Sequence, residues 1–166
     1  MAVIDLSPEQ ENRLGPLAQL VGAWEGERGH DVISDQQEST ETLYRETMSF
    51  EPVGPLGPEN LYGLRYSTFA WDYDDPEEEK PIHQELGYWF WSEEDKQVTR
   101  CFTNQNGVAI NAGGQCESEA DSFEMSAELG SDVYGIASSP FLNNHCKTVT
   151  YKLKVDIEDD SHFSYS

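Results

Sequence analysis

Basic residues are scarce in this sequence. Ten Lys and Arg stand against 32 Asp and Glu among 166 residues, so the formal net charge is −22 at pH 7. Binding to nucleic-acid phosphates and adhesion to anionic membranes both require clustered Lys and Arg. Neither partner is expected here. The acid excess predicts instead a well-solvated surface that resists aggregation.

Cysteines and long apolar runs are also few. The three cysteines, Cys101, Cys116 and Cys146, are too widely spaced for a CxxC zinc or redox motif, and we expect reduced thiols in a cytoplasmic protein. The first six residues have neither the basic nor the apolar region of a signal peptide. No apolar run reaches the roughly 20 residues that a membrane-spanning helix needs.

The common catalytic motifs are missing as well. The sequence has no GxSxG, P-loop, GxGxxG or HExxH pattern. Its four histidines, His30, His83, His145 and His162, stand far apart, so a metal site would have to be assembled by the fold. No catalytic residue is assigned from these patterns, and whether the protein is an enzyme stays open.

Local patterns predict a short N-terminal helix followed by strands in one domain of residues 1–166. Ser7-Pro8-Glu9-Gln10 combines a helix cap, a proline at the first helical position and a capping-box glutamine, while Gly15-Pro16 should break the helix. Beyond Gly22 the hydrophobic period is two, as in strands. The predicted strands lie within residues 44–50, 64–71, 82–91, 98–103, 108–112, 123–129 and 148–157.

Short polar turns join these runs without intervening helices. This order is typical of an all-β, antiparallel up-and-down β-barrel, because closing the sheet on itself removes its exposed edges. Residues 130–144 lack a clear period and should form a longer excursion. At the start of the first strand, Gly22 is expected to let the helix pack closely and Trp24 to plug the closed end of the barrel.

Two segments resemble the nitrobindin, or haem-binding β-barrel, family. Residues 17–29, LAQLVGAWEGERG, resemble the family opening L-x-x-L-x-G-x-W-x-G-x-G, in which Gly26 is a further structural glycine. Residues 81–89, PIHQELGYW, are similar to the family element P-x-H-x-E-x-G-Y-x. The resemblance covers residues 14 to about 129 and is specific in the order and spacing of its parts.

The resemblance implies a fatty-acid-binding-protein-like or lipocalin-like barrel of about ten strands around a mostly apolar pocket. Family members bind haem b through a histidine on the last strand, with the histidine matched by His83 on the other side of the haem. The predicted pocket residues are His83, Ile82, Thr42, Tyr66, Tyr88 and Arg65. Strand counting from Trp24 puts His162 on the strand before the family's closing strand, and His162 is the candidate metal ligand.

Three functions remain open at this point. The preferred one is a binding protein for a small hydrophobic or planar molecule, either haem or a fatty-acid-like ligand whose carboxylate would need Arg45, Arg65 or Arg100. A haem-dependent peroxynitrite isomerase or nitrogen-oxide scavenger is the enzymatic alternative. The third is an interaction module that has lost its ligand. His83 itself could instead be a rim histidine bonded to a carboxylate, and a homodimer is left open.

Overall fold

Two short helices open the chain in the computed structural model, which describes residues 4–34, 39–74 and 80–166. Helix α1, Pro8–Leu14, is followed by a 3-10 helix, Gly15–Leu20. The backbone amide of Gln10 donates to the Ser7 side chain, and the Ser7 amide donates to the Gln10 side chain. This reciprocal pair satisfies two of the free amides of the first turn, so the predicted capping box is confirmed.

The rest of the described chain forms mainly a curled ten-stranded sheet, which confirms the predicted all-β barrel. In order along the sheet, β1 is followed by β2, β3, β4, β5, β6, β8, β7, β9 and β10. The strands are β1 Gly22–Ser34, β2 Ser39–Leu56, β3 Leu61–Asp72, β4 His83–Ser92, β5 Gln97–Asn104, β6 Val108–Gln115, β7 Ser122–Leu129, β8 Gly135–Ser138, β9 Thr150–Asp159 and β10 His162–Tyr165.

One strand departs from the predicted antiparallel meander. The four residues of β8 lie between β6 and β7 and run parallel to β7, where the sequence predicted only an excursion. Helix α2, Pro140–His145, follows, capped by the Ser139 side chain. Ser139-Pro140 repeats the Ser-Pro start signal of α1, so this helix could have been predicted. Within the described residues, no helix is long and apolar enough to span a membrane.

Strands β1 and β10 are the two ends of the sheet. Among the described residues they form no backbone ladder with each other, and β10 pairs with β9 alone. Side chains cross this gap: the Trp24 and Phe163 rings meet edge to face at 4.8 Å, and the Tyr44 and Tyr165 hydroxyls lie 3.2 Å apart. We call the junction of β1 and β2 with β10 the seam.

Leucines of the helices fill the closed end of the barrel. Leu14, Leu17 and Leu20 are at most 1% exposed and belong to the main hydrophobic core. Trp24 is only partly buried, and its indole N–H donates to the Leu20 carbonyl at 2.8 Å. It therefore ties the helical segment to β1 in addition to covering the core.

The structural glycines differ from the predicted role. Gly22 has φ of 137°, and a Cβ there would meet nothing within 4 Å, so backbone conformation and not close helix packing explains this glycine. Gly26 also has open space around it and lies next to the irregular β1–β2 register between Gly26 and Gly29. Gly29 is the crowded position, because a Cβ there would collide with the Tyr44 ring.

Candidate functional site

The interior holds a cavity of about 620 Å³. Its wall comes from β1 to β4, β9 and β10, together with Arg100 of β5. The strand period of two explains this wall, since alternate residues of each strand face inward. The apolar part consists of Ile33, Met48, Ala70, Ile82, Trp89, Leu153, Val155 and Phe163. Such a volume and lining are typical of sites for one small organic molecule.

Arg100 forms a buried polar cluster on this wall. Its guanidinium donates to the Tyr66 hydroxyl from Nε at 3.1 Å and from Nη2 at 2.9 Å, and also to Tyr151 and Glu85. The Phe102 ring centroid lies 4.3 Å from the guanidinium carbon. Because a buried charge is tolerated only when it is paired and hydrogen-bonded, these partners indicate that Arg100 is a structural cation.

Glu85 joins Arg100 to His83. Its Oε1 lies 3.0 Å from His83 Nε2, while Oε2 accepts from Arg100. The hydrogen bond to Glu85 raises the pKa of His83, with burial acting in the opposite direction. Burial alone would raise the pKa of Glu85, but the His83 hydrogen bond and the charge of Arg100 together lower it. Both shifts favour an ion pair between protonated His83 and ionised Glu85.

Glu46 of β2 also lines this cavity, but its hydrogen-bond partners are uncharged. It accepts hydrogen bonds from the Thr68 and Tyr165 hydroxyls, which are neutral donors. Burial, and next the charge of Glu46, raise the pKa of Tyr165, so this phenol stays protonated. In the part of the chain that the structure describes, no basic side chain forms an ion pair with Glu46.

Trp89 carries an unsatisfied donor on the cavity wall. The residue is 3% exposed, yet its indole N–H has no hydrogen-bond partner among the described residues. Leaving a buried donor unpaired costs about 1–3 kcal/mol. Because Nε1 itself is inaccessible, a molecule in the cavity would meet the Trp89 ring and not this N–H.

The structure divides the predicted pocket residues into three groups. Ile82, His83 and Thr42 line the cavity. Tyr66 is buried behind it and holds Arg100. Arg65 and Tyr88 lie on the outer face, where Arg65 pairs with Glu51 and Tyr88 stacks on Phe90 at 5.9 Å. Each is one residue from an inward side chain, and adjacent strand residues point to opposite faces.

His162, the candidate metal ligand, lies away from the cavity. Its side chain is 70% exposed and bonds to Asp159 at 2.9 Å across the turn between β9 and β10. The described residues contain no group of three His, Cys, Asp or Glu side chains that could hold a metal ion. The position of His162 therefore gives it no contact with a ligand in the cavity.

Sequence reasoning did not select Glu46, Glu85, Trp89 or Tyr165 as site residues, and considered Arg100 only as an anchor for a fatty-acid carboxylate. The alternation of residues along the strands could have identified Glu46 and Arg100. Glu46 is in phase with Met48 and Phe50, and Arg100 is in phase with Val98 and Phe102, so each places a charge among inward apolar residues. A charge on the apolar phase of a strand indicates a buried polar cluster.

Comparisons with known proteins agree with this architecture. A family model described as "THAP4-like, heme-binding beta-barrel domain" matches residues 13–166. The crystal structure of Rv2717c from M. tuberculosis superposes with a TM-score of 0.67 at 24% identity, covering 97% of this chain and 86% of that one, which shows a shared fold. No curated protein matches the sequence. The chain belongs to the THAP4-like, haem-binding β-barrel family.

Proposed function

We propose that this protein is a binding protein that encloses one small organic molecule in its barrel. The observation that supports this best is the cavity of about 620 Å³, whose largely apolar wall includes the aromatic side chains of Trp89 and Phe163. Pockets that combine an apolar wall with a few polar groups are the usual form of small-molecule sites. The ligand that suits this wall is apolar over most of its surface and carries few polar groups.

Haem, the ligand of the family name, would need a histidine in the cavity that is free to bind iron. The cavity volume is of the right order, but His83 is the one histidine among the described residues that lines the cavity, and its Nε2 is bonded to Glu85. Its raised pKa favours the protonated form, and only neutral imidazole binds a metal. The described residues therefore do not fit a histidine-ligated haem. A haem-dependent isomerase or scavenger is not proposed.

The cavity residues are also poorly suited to binding a fatty acid. The carboxylate of such a ligand would need a free interior cation. Among the described residues Arg100 is the one arginine on the cavity wall, and Glu85, Tyr66 and Tyr151 take four of its five N–H groups. A second carboxylate could bind it through two N–H groups only by displacing one of these partners.

Filling the cavity tests the proposal. Ala70→Phe places a ring inside the cavity, since Ala70 is 5% exposed and lines it, whereas Ala109→Phe adds the same ring at an exposed position of β6. Binding of the neutral fluorophore Nile red should weaken at least tenfold in Ala70→Phe and stay within twofold in Ala109→Phe. Equal binding in all three proteins would contradict the interior site.

Titration with haemin tests the choice of ligand separately. We expect weak haemin binding without a saturable, stoichiometric Soret band, and no change in the spectrum on His162→Ala. A tight Soret complex that is lost in His83→Ala would show that Glu85 releases this imidazole. That result would keep the cavity as the binding site and replace the ligand proposed here.

A further inference from the structure

We infer that the cavity selects a monovalent organic cation, an aromatic or alkyl ammonium compound, with Glu46 as its counter-ion. This inference rests on the proposed function, because it concerns the charge of the molecule that the cavity holds. Three features support it: the charge on the cavity wall, the surroundings of Glu46, and the aromatic rings near it.

The charge on the cavity wall is negative. Four carboxylates line it, those of Asp31, Glu46, Asp72 and Glu85. They outnumber its three basic residues, Arg100, Lys152 and His83, even when His83 is protonated. Arg100 and His83 are both bonded to Glu85, and Lys152 is exposed on β9, out of phase with the inward Tyr151 and Leu153. Among the described residues none of these bases forms an ion pair with Glu46, whose charge acts on His83 only as a minor contribution to the raised pKa of that histidine, after the hydrogen bond and the charge of Glu85.

Glu46 is half-buried, and its hydrogen-bond partners among the described residues are both hydroxyl groups. The hydroxyls of Thr68 and Tyr165 stabilise the carboxylate by hydrogen bonding but do not neutralise it. A charge-assisted bond from an ammonium group is stronger than one from a neutral donor, and its strength increases away from bulk water. A ligand cation beside Glu46 would complete an ion pair of the kind that Arg100 already provides for Glu85.

Several aromatic side chains share the cavity with Glu46. Tyr44 and Tyr165 meet beside Glu46, and Trp89 and Phe163 form part of the same cavity wall. The faces of aromatic rings attract ammonium groups, with reported energies of about 0.5–2 kcal/mol depending on desolvation. The net charge of −22 adds a long-range attraction for cations and repels anions such as carboxylates.

The experiment compares three naphthalene compounds that differ mainly in charge: 2-naphthylmethylammonium, 2-naphthylmethanol and 2-naphthoate. Calorimetric titration at pH 7 and low salt should rank the cation tightest, the alcohol about tenfold weaker and the carboxylate weakest. Glu46→Gln should weaken the cation about tenfold and leave the alcohol within twofold. The matched control, Glu124→Gln, removes one charge from an exposed position of β7 and should change neither.

The outcomes separate this inference from the proposed function. Equal affinity for the cation and the carboxylate would overturn the charge selectivity, as would equal weakening of the cation and the alcohol in Glu46→Gln. In both cases binding of the alcohol would preserve the interior site. A loss in Glu124→Gln as large as in Glu46→Gln would assign the effect to overall charge. Failure of all three compounds to bind the unmodified protein would overturn both proposals.

Discussion

Two glutamates on one cavity wall occupy opposite electrostatic surroundings. Glu85 lies between Arg100 and His83, whereas the partners of Glu46 within the described part of the chain are the neutral hydroxyls of Thr68 and Tyr165. Burial penalises both charges, but only Glu85 recovers the cost through ion pairs. Glu85 therefore has a structural role in a buried ion-pair cluster, whereas Glu46 is available to bind a ligand.

The His83–Glu85 pair predicts a specific pH dependence of stability. The stabilisation from protonated His83 is complete below the ordinary histidine pKa of 6.5 and is lost as the pH rises through the raised pKa of His83 in the folded protein. The stabilisation from ionised Glu85 is complete above the ordinary glutamate pKa of 4.5 and is lost as the pH falls through the lowered pKa of Glu85 in the folded protein. The difference in free energy of unfolding between the unmodified protein and His83→Gln should be largest between pH 4.5 and 6.5. Urea titrations across pH measure it, and a constant difference from pH 5 to 9 would contradict the pairing.

The indole N–H groups of Trp89 and Trp91 differ in hydrogen bonding, so replacing each tryptophan by Phe should change the free energy of unfolding by different amounts. Trp91 donates its N–H to the Cys116 carbonyl at 3.0 Å, whereas the Trp89 N–H has no partner among the described residues. Replacement by Phe keeps an aromatic ring and removes the donor in both cases. Trp91→Phe should therefore cost about 1–3 kcal/mol more than Trp89→Phe, because it leaves a buried carbonyl unsatisfied. Equal losses in denaturant unfolding would indicate that Trp89 is hydrogen-bonded in solution.

At the level of elements, the alternation of apolar and polar residues predicted most strands correctly. Each predicted run lies wholly or largely within one of β2 to β7 or β9. The method failed at β8, since four residues give too short a pattern to show a period, and their neighbours in the sheet are set by long-range contacts. It also assigned Arg65 and Tyr88 to the wrong face, because a one-residue error in phase moves a side chain through the sheet.

Trp24 connects the helices to β1, so the substitution Trp24→Ala should lower the stability of the protein measurably. This change removes the hydrogen bond to the Leu20 carbonyl and the edge-to-face contact with Phe163. We expect a decrease of about 3 kcal/mol in the free energy of unfolding, at the low end for a truncated tryptophan because Trp24 is only partly buried. Phe141→Ala, at a position that is 67% exposed, should change it by less than about 0.5 kcal/mol. Unchanged denaturation midpoints in Trp24→Ala would refute this role.

For the whole molecule, the fold was predictable to a greater extent than the ligand. The N-terminal motif and the strand period specify a barrel, but the charge of its cavity depends on which side chains meet across strands far apart in sequence. Glu46 meets Tyr165 only because β2 and β10 come together at the seam, 119 residues apart along the chain. No local pattern carries that information, and the family resemblance, which supplied haem, does not indicate the charge of this chain's cavity.

At the seam, side-chain hydrogen bonds hold two strands together, whereas backbone hydrogen bonds join neighbouring strands elsewhere in the sheet. The Tyr165 hydroxyl bonds to Glu46 and lies 3.2 Å from that of Tyr44, across a gap where β1 and β10 have no described ladder. Tyr165→Phe removes these bonds and keeps the ring, so local opening should cost about 1 kcal/mol less. Amide hydrogens of β1 and β10 should then exchange about fivefold faster, while those of β4 to β6 keep their rates. Tyr88→Phe makes the same chemical change on the outer face and should alter neither set. If Tyr165→Phe left exchange at β1 and β10 unchanged, contacts other than the Tyr165 hydroxyl would be holding the two edges together.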